Sequence, residues 1–288
     1  MKEHSNLFPV EKMCSVLKVS VSGYYYWLRA PVGPRAKSRI HLIAEIKSVY
    51  QQSKGRYGSP RITSCLKRRG LKASRPLIAR IMRKENIRSI VCRKYRVQTT
   101  DSSHRYKVVE NILARDFHAE RTGQKWVSDL TYIRTALGWL YLTIVMDLAD
   151  RKIVGWALSV TMKAVDTSVA AWKMAIKNRP IITSLLFHSD QGFQYACPEF
   201  RNELKLWPVV QSMSRKGNCW DNSVAESFFK TLKTELIYQA NYATIKEAER
   251  AIFEYIEVDY NRNRIHSTLD YHTPEAYQAI LTMKRKSA

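Results

Sequence analysis

The sequence predicts a chain in two parts, an all-helical part in front and an α/β domain with a mixed five-stranded sheet behind it. Three observations support this division. Residues 38–88 carry three short runs of apolar residues at helical spacing. From Lys125, three strand-like runs joined by tight turns indicate an antiparallel meander. After residue 165, helical runs alternate with two further strand-like runs, a pattern typical of α/β folds.

The first segment, residues 1–35, is expected to form a small pair of helices. A helical run surrounds Met13, and the aromatic cluster at residues 24–27 lies in a second run that Pro31 and Pro34 end. We expect the aromatic rings to pack the two helices together. Contact between exposed rings and the bases or sugars of a nucleic acid is the alternative.

Residues 36–92 are predicted to form a helix-turn-helix DNA-binding region. Gly70 stops the second helix, and Ser74 is a good N-cap for the third. Short helices with a glycine turn and a basic final helix are typical of DNA readers, whereas a solvated basic face on a structural bundle is the alternative. The candidate DNA contacts of this region are all arginines: Arg56, Arg61, Arg75 and Arg83.

Helical periodicity fades after this region, so residues 93–123 are predicted to form a basic linker. Such a tether either lies along a phosphate backbone or only connects two domains. The α/β domain, residues 124–240, is expected to hold a helix at residues 166–178, capped by Asp166 or Thr167. Residues 241–288 are predicted to form an amphipathic helix, opened by a capping box at residues 244–247, and a tail that packs on the core.

Three acids of the α/β domain lie where carboxylates are unusual. Asp190 ends an apolar strand, Asp129 lies inside a strand, and Glu226 lies in a predicted helix. Burying a carboxylate without a partner is unfavourable in free energy, and ligands often bind at the ends of strands. These residues therefore indicate a metal site. Each acid also has an ordinary interpretation: a turn residue for Asp190, a satisfied buried acid for Asp129, and for Glu226 a capping box with Ser223.

The spacing and surroundings of these acids match a known family. Between Asp190 and Glu226 lie 35 residues, the aspartate-to-glutamate interval of the integrase and transposase superfamily. Residues 126–133, 188–195 and 221–235 resemble the orfB-type transposases of bacterial insertion-sequence family three, whose catalytic core is similar to retroviral integrases. The resemblance covers nearly the whole chain. It implies a ribonuclease H-like catalytic domain, in which the first and fourth strands are neighbours.

The resemblance also implies metal-dependent cleavage and joining of DNA. Asp129, Asp190 and Glu226 are then the catalytic residues, and they hold two Mg²⁺ or Mn²⁺ ions, with Asp129 bridging both. Three carboxylates suit such hard cations, and a pair of ions activates the nucleophile and stabilises the leaving oxygen. A metal nuclease that cuts without joining, and a DNA-binding regulator with vestigial acids, are the alternative interpretations.

Four basic residues near Glu226 are candidate contacts to the DNA strand that is cut. Lys230 and Lys233 follow Glu226 on the same helix face, in a pattern similar to retroviral integrases. A Glu-to-Lys helix pair is the ordinary interpretation of the two lysines. Arg215 and Lys216, in the preceding loop, are expected to hold the same strand.

Three further aspartates and one histidine have structural interpretations. Asp147 and Asp150 lie in a predicted hairpin, where turn chemistry explains them. Asp221 is placed to cap the helix of Glu226. His266, in the tail, is more often structural than catalytic.

The charge balance favours a polyanionic partner. The chain has 48 Lys and Arg against 25 Asp and Glu, a net charge of +23. Its longest apolar run, residues 139–146, is far shorter than the roughly 20 residues of a membrane helix. We therefore expect a nucleic acid as the partner and no membrane. The resemblance implies that this nucleic acid is double-stranded DNA, and we expect the affinity to fall steeply with salt. Five scattered cysteines indicate reduced thiols rather than a zinc site.

The resemblance has further implications for assembly. It implies a homo-oligomer on transposon ends and target DNA, in the bacterial cytoplasm and associated with the nucleoid. It also implies a frameshift fusion to the protein of an upstream reading frame. Since this chain shows no heptad segment, part of the dimerisation could belong to that upstream protein.

Overall fold

The computed structural model describes residues 1–30, 33–90 and 106–287. The front part holds the helices α1 (Val10–Val16), α2 (Val21–Arg29), α3 (Pro34–Gln52), α4 (Ser59–Arg68) and α5 (Arg75–Lys84). The strands are β1 (Lys125–Thr135), β2 (Gly138–Asp147), β3 (Ile153–Ser159), β4 (Leu185–Ser189) and β5 (Val209–Met213). The later helices are α6 (Ser168–Asn178), α7 (Phe193–Ala196), α8 (Pro198–Lys205), α9 (Ser223–Glu235), α10 (Ile245–Phe253) and α11 (Pro274–Ser287). Within the described ranges, no helix is both long enough and apolar enough to cross a bilayer.

The front part follows the sequence pattern closely. The Ser74 hydroxyl accepts a hydrogen bond from the Leu77 amide at 3.4 Å, which confirms the predicted cap of α5. Gly70 has φ of +79°, the left-handed conformation that commonly ends a helix. In the N-terminal pair, Tyr24 is buried, but Tyr26 and Trp27 are mostly exposed. Tyr24 is therefore the buried member of the cluster, and the exposed rings of Tyr25 and Trp27 contact it.

The linker prediction is only partly covered by the described residues. Residues 93–105 lie outside them. Beyond that point, Leu113 is buried in the core of the α/β domain. This end of the linker therefore packs on the domain instead of only leading to it.

The sheet is mixed and has the strand order β3-β2-β1-β4-β5. The first three strands pair antiparallel, as the tight turns predict, whereas β4 pairs parallel to both β1 and β5. A parallel neighbour needs a crossover, and α6 supplies it between β3 and β4. The predicted ribonuclease H-like fold is confirmed, with the first and fourth strands adjacent.

Each face of the sheet is covered by its own apolar cluster. One cluster joins Val127 and Ile144 to residues of α9 and α10. The other joins Trp126 and Phe187 to residues of α6 and α8. Because neighbouring residues of a strand point to opposite faces, burial on both sides explains why apolar residues occupy both faces of these strands. Helix α9, which carries Glu226, is thereby held against β1.

Gly155 is the point where β3 lies closest to α6. A Cβ atom added there would meet the carbonyl oxygen of Ala171 and the backbone nitrogen of Ala175, well inside van der Waals contact. Since backbone atoms cannot move aside as a side chain can, Gly155→Ala is expected to lower the free energy of unfolding by at least about 3 kcal/mol. Urea denaturation measures this change.

Gly58→Ala is the matched control for this substitution. A Cβ at Gly58 would meet its nearest atoms at 3.8 and 3.9 Å, which is ordinary contact. Its cost is expected to stay within about 1 kcal/mol, as for other changes at a helix N-cap. Equal effects of the two substitutions would contradict the close approach of β3 and α6.

The predicted cap of α6 is wrong. The helix begins at Ser168, and its N-cap residue, Thr167, makes no side-chain cap. The Thr167 hydroxyl instead donates to the Lys163 carbonyl at 2.8 Å, and Asp166 accepts from the Thr161 hydroxyl at 2.6 Å. Both side chains stabilise the preceding turn, because partners earlier in the chain compete with the helix amides.

Asp147 and Asp150 act as turn residues, as predicted. Both also form ion pairs with Arg179, which were not predicted. Asp147 accepts from the Ala149 amide and Asp150 from the Lys152 amide, which is the expected turn chemistry. In addition, the buried Arg179 guanidinium bonds to Asp147 at 2.6 Å and to Asp150 at 2.7 Å. These contacts account for both carboxylates without a metal.

The tail packs between the α/β domain and the helix-turn-helix region, instead of on the α/β domain alone. After α10 the chain continues as a π-helical segment, Glu254–Asn263, where the sequence predicted a plain α-helix. On the core side, Arg264 bonds to Glu235 at 2.9 Å. On the other side, the Tyr57 hydroxyl donates to the Asn263 carbonyl and accepts from the Ile265 amide. The tail therefore connects the two parts of the chain.

His266 is partly buried in this tail and is expected to make the stability of the folded chain depend on pH. Burial, followed by the guanidinium groups of Arg264, Arg61 and Arg151, lowers the pKa of His266 to about 2. The unfolded chain binds a proton below about pH 6.5 and the folded chain does not, so stability is lost as the pH falls through that value. His266→Gln is expected to remove this loss, a relative gain of up to about 1.4 kcal/mol per pH unit below 6.5.

Urea unfolding of both proteins at several pH values between neutral and acidic tests this expectation. His41→Gln is the control, because the His41 side chain is exposed to solvent in the folded chain. If the difference in stability between wild type and His266→Gln does not change with pH, His266 is not held neutral by its surroundings.

Candidate active site

Asp129 and Asp190 lie on neighbouring parallel strands. Val127 of β1 pairs with His188 of β4, so each acid lies two residues beyond this pair. Because side chains alternate along a strand, both point to the same face, and Asp190 follows the carboxyl end of β4. Asp129 is 8% exposed and Asp190 is half-buried. The predicted juxtaposition of the two acids is therefore present.

Asp190 also has the turn role that was the alternative interpretation. Its Oδ1 accepts a hydrogen bond from the Gly192 amide at 2.9 Å. A Cβ added at Gly192 would lie 3.0 Å from this same oxygen, so a larger residue there would crowd the Asp190 carboxylate. The turn fixes one carboxylate oxygen, and a carboxylate has two, so a turn role and a ligand role are compatible.

Glu226 lies in the first turn of α9, which packs its apolar face, including Phe228 and Leu232, against the sheet. The capping box proposed as an alternative is absent, because Ser223 is already the first helical residue and the N-cap is Asn222. The Asn222 amide nitrogen donates to the Ser128 carbonyl at 3.0 Å. Since Ser128 precedes Asp129, this bond ties the start of α9 to the strand of the first acid.

The three acids are within electrostatic reach of one another. The pKa of Asp129 is raised well above its usual range, first by burial, then by the charge of Asp190 and also by that of Glu226. The pKa of Glu226 is likewise raised by burial and by Asp190. Carboxylates that share a site in this way repel each other when ionised, and a bound cation removes the repulsion.

The donor set fits a hard divalent cation. All three side chains offer only oxygen, which Mg²⁺ and Mn²⁺ prefer. The Oδ1 atom of Asn222 is also buried and has no hydrogen-bond partner in the described part of the chain. Among the described residues, no three His, Cys, Asp or Glu side chains already converge as ligands of one ion.

Most of the predicted DNA contacts are on the surface. Arg75 and Arg83 on α5, Lys216 in the loop before α9, and Lys230 on α9 are all exposed. Lys233 is half-buried, and its charge lowers the pKa of Asp129, which places it near the acids.

Arg56 and Arg61 differ from the other candidates, because both guanidinium groups are committed to contacts inside the chain. Arg56 bonds to Asp259 at 2.7 Å and lies over the ring of Tyr255. Arg61 lies over the ring of Tyr57 and 4.0 Å from Glu235. Docking of the tail covers this face of the helix-turn-helix region, so a DNA backbone would have to displace these contacts.

Asp221 does not cap α9 as predicted. Its buried carboxylate accepts hydrogen bonds from two arginines, Arg215 in the same loop and Arg115 in the linker. These bonds, first those from Arg215, hold the pKa of Asp221 well below its usual range. Sequence reasoning missed Arg115 and Asn222, since nothing in local spacing connects the linker, or the Ser128 carbonyl, to this loop.

His188 connects the linker to the strand of Asp190. Its two ring nitrogens lie 2.9 Å from the Ser212 hydroxyl and 3.1 Å from the Ser214 hydroxyl. The Ser212 oxygen also accepts from the amides of Ile112 and Leu113. Burial lowers the pKa of His188 to about 4, so the ring is neutral at physiological pH and acts as a buried spacer.

The domain families found in the chain agree with this geometry. The integrase core domain family matches residues 119–219 and 226–280. An HTH-like domain family matches residues 38–95. Among solved structures, an intasome of simian T-cell lymphotropic virus has a TM-score of 0.46 at 14% identity, covering 81% of this chain and 74% of that one. The HTLV-2 integrase catalytic core in complex with magnesium has a TM-score of 0.40 at 13% identity, covering 55% and 97%.

Curated relatives are similar over nearly the full length. Transposase InsF for insertion sequence IS3A of Escherichia coli (strain K12) is 36% identical over 281 residues, which cover 96% of each chain. The uncharacterized 31 kDa protein of insertion element IS600 from Shigella sonnei is 37% identical over 266 residues, 92% of this chain and 97% of that one. With this identity over almost its whole length, and with an integrase core domain behind an HTH-like domain, the chain belongs to the IS3 family of insertion-sequence transposases.

Proposed function

We propose that the chain nicks the ends of an insertion sequence and joins the resulting 3′-hydroxyl groups to target DNA. The observation that carries this proposal is the placement of Asp129 and Asp190 on adjacent parallel strands, with Glu226 in electrostatic reach of both. Asp129, Asp190 and Glu226 are the proposed catalytic residues. Nicking and joining are both in-line displacements at phosphorus, so one site can serve both steps without a covalent enzyme intermediate.

The three acids would hold two Mg²⁺ or Mn²⁺ ions. The three carboxylates would supply the oxygen ligands that such cations prefer. When bound, such ions activate an oxygen nucleophile and neutralise the leaving oxygen. The chain's own contribution is to hold the acids on rigid elements, through the pairing of β1 with β4 and the Asn222 bond to Ser128.

The proposed partner is double-stranded DNA, at transposon ends and at the target. Support comes from the net charge of +23 and from the exposed basic residues on α5, on α9 and in the loop before α9. Arg75, Arg83, Lys216, Lys230 and Lys233 remain proposed contacts. Arg215 is treated below, and Arg56 and Arg61 are left out because they bind groups of the chain itself. A homo-oligomer on DNA, a frameshift fusion to the upstream protein and a cytoplasmic, nucleoid-associated location also belong to this proposal.

A strand-transfer assay tests the proposal against its two rivals. The substrate is a duplex with the terminal sequence of the element that encodes the chain, labelled at the strand that would be nicked. With Mg²⁺, we expect both a nicked strand and longer joined products, because one site performs both displacements. A metal nuclease would give nicks alone, and a regulator would give neither product.

A donor duplex that is already nicked and ends in a 3′-dideoxynucleotide is the matched control. It binds in the same way but has no nucleophile, so joined products should disappear. Joining that persists with this donor would contradict attack by the 3′-hydroxyl.

A further inference from the structure

Asp221 holds two arginines that come from distant parts of the chain. Its Oδ1 accepts from Arg115 Nε at 2.8 Å and from Arg215 Nη2 at 2.8 Å, while its Oδ2 accepts from Arg215 Nε at 2.9 Å. Asn111 adds a fourth side-chain bond to Oδ2 at 2.9 Å. The carboxylate itself is fully buried, so the two guanidinium groups are fixed relative to each other by one rigid anchor.

Both guanidinium groups are partly exposed to solvent and have N–H groups left to bind a ligand. The Arg115 side chain is 46% exposed and the Arg215 side chain 59% exposed. Arg115 uses Nε for Asp221 and Nη2 for Asn218, and Arg215 uses Nε and Nη2 for Asp221. In the part of the chain that the structure describes, neither Nη1 atom donates to a protein acceptor. Two positive charges facing one negative charge leave the cluster cationic.

The backbone of the linker is strained where it delivers Arg115. Ala114 has φ of +46° and Arg115 φ of +66°, a left-handed conformation that non-glycine residues seldom adopt. The bond from the Ala114 amide to Asn111 Oδ1 at 2.9 Å holds this turn. The surrounding contacts therefore over-determine the position of Arg115.

The cluster is next to the three acids. The loop that contains Arg215 and Asp221 begins at Ser214, whose amide donates to the carbonyl of Ser189, the residue before Asp190. The loop ends at Asn222, which is bonded to Ser128, the residue before Asp129. Both ends of the loop are thus anchored beside catalytic residues.

We infer that Arg115 and Arg215, oriented by Asp221, form a binding site for one backbone phosphate of the DNA strand that enters the active site. Paired guanidinium groups present a fork of N–H donors that matches phosphate oxygens. This inference rests on the proposed function and adds a linker residue, Arg115, to the DNA contacts. Asp221 is a positioning residue, since it acts through the two arginines. A purely internal clamp would not need two half-exposed cations.

The test compares the wild type with Arg115→Ala, using a duplex of the element's terminal sequence, with EDTA present to prevent cleavage. Single methylphosphonate linkages, which remove one backbone charge, are placed in turn along the strand. At one linkage the wild type is expected to lose roughly tenfold in affinity, the size of one charge-assisted hydrogen bond. Arg115→Ala should already bind the unmodified duplex more weakly and should lose clearly less affinity than the wild type at that linkage, because only Arg215 remains to contact the phosphate. Its salt dependence, as the slope of log affinity against log salt, should fall by about 0.9.

Lys177→Ala is the control, because Lys177 is exposed at the end of α6, at the end of the sheet away from the acids. It removes the same charge and should keep the wild-type pattern of methylphosphonate effects. If Arg115→Ala keeps that pattern too, the cluster is only an internal clamp and the inference fails. Wild-type cleavage of the unmodified duplex in Mg²⁺, measured in parallel, tests the proposed function separately.

Discussion

Asp190→Asn is expected to abolish Mg²⁺-dependent nicking and joining while DNA binding is retained. The substitution keeps the size of the side chain and an Oδ1 atom that can accept from the Gly192 amide, so the turn after β4 should survive. It removes one negative charge from the proposed metal site. Loss of an outer-sphere partner of a metal already costs about 10–100-fold in activity, so a direct ligand should cost more than roughly 100-fold. Gel assays of nicking and fluorescence anisotropy of DNA binding measure the two effects.

The same variant should be at least as stable as the wild type when EDTA is present. Asp190 raises the pKa of both Asp129 and Glu226, which shows that the metal-free site carries repulsion. Neutralising Asp190 relieves it. Asp116→Asn is the control for loss of one acid, because Asp116 is 68% exposed and pairs with Lys125. Nicking that continues unchanged in Asp190→Asn would remove Asp190 from the catalytic site.

Arg264→Ala is expected to lower the free energy of unfolding by about 3–5 kcal/mol. Arg264 is 9% exposed and bonds through Nε and Nη2 to the carboxylate of Glu235, which is fully buried at the end of α9. Without Arg264, this carboxylate would keep the Tyr255 hydroxyl at 2.9 Å and the more distant Arg61 at 4.0 Å. A buried charge that loses its main partner is strongly destabilising, and urea denaturation measures the loss.

Arg262→Ala is the matched control, two residues earlier in the same tail. Arg262 pairs with Glu275 at 3.8 Å, and both side chains are more than half exposed. Exposed pairs of this kind contribute about 0–1 kcal/mol. Similar losses for the two variants would show that the Glu235 ion pair does not hold the tail on α9.

The ion pair between Arg264 and Glu235 matters for function because it joins the tail to the helix that carries Glu226. Glu235 ends the same helix that begins near Glu226, and Arg61 of the helix-turn-helix region lies 4.0 Å from Glu235. The tail that supplies Arg264 also binds Tyr57 of that region through Asn263 and Ile265. The tail and α9 therefore pack the helix-turn-helix region together with the helix that carries Glu226.

Most of the secondary structure of this protein could be predicted from local sequence patterns. Short apolar runs bounded by turn residues predicted all five strands, and helical apolar spacing predicted the helices of the front part. The Ser74 cap could also be predicted from the sequence, because a helix cap depends only on residues within one helical turn. The three acids were identified by their motifs and interval, together with resemblance to a family, before their positions were known.

Other features depend on contacts between residues far apart in the chain, and these only the tertiary structure decided. Arg115 meets Asp221, Arg264 meets Glu235, and Arg56 meets Asp259, so arginines that look alike in sequence have different roles. Competing partners also moved Asp166 away from its predicted cap. Local patterns specify which face of an element is apolar, but they do not specify which distant charge will neutralise a given side chain. That choice is made when the linker and the tail dock on the core, and it separates the half-exposed Arg115, which we propose binds DNA, from Arg264 and Arg56, which stabilise the fold.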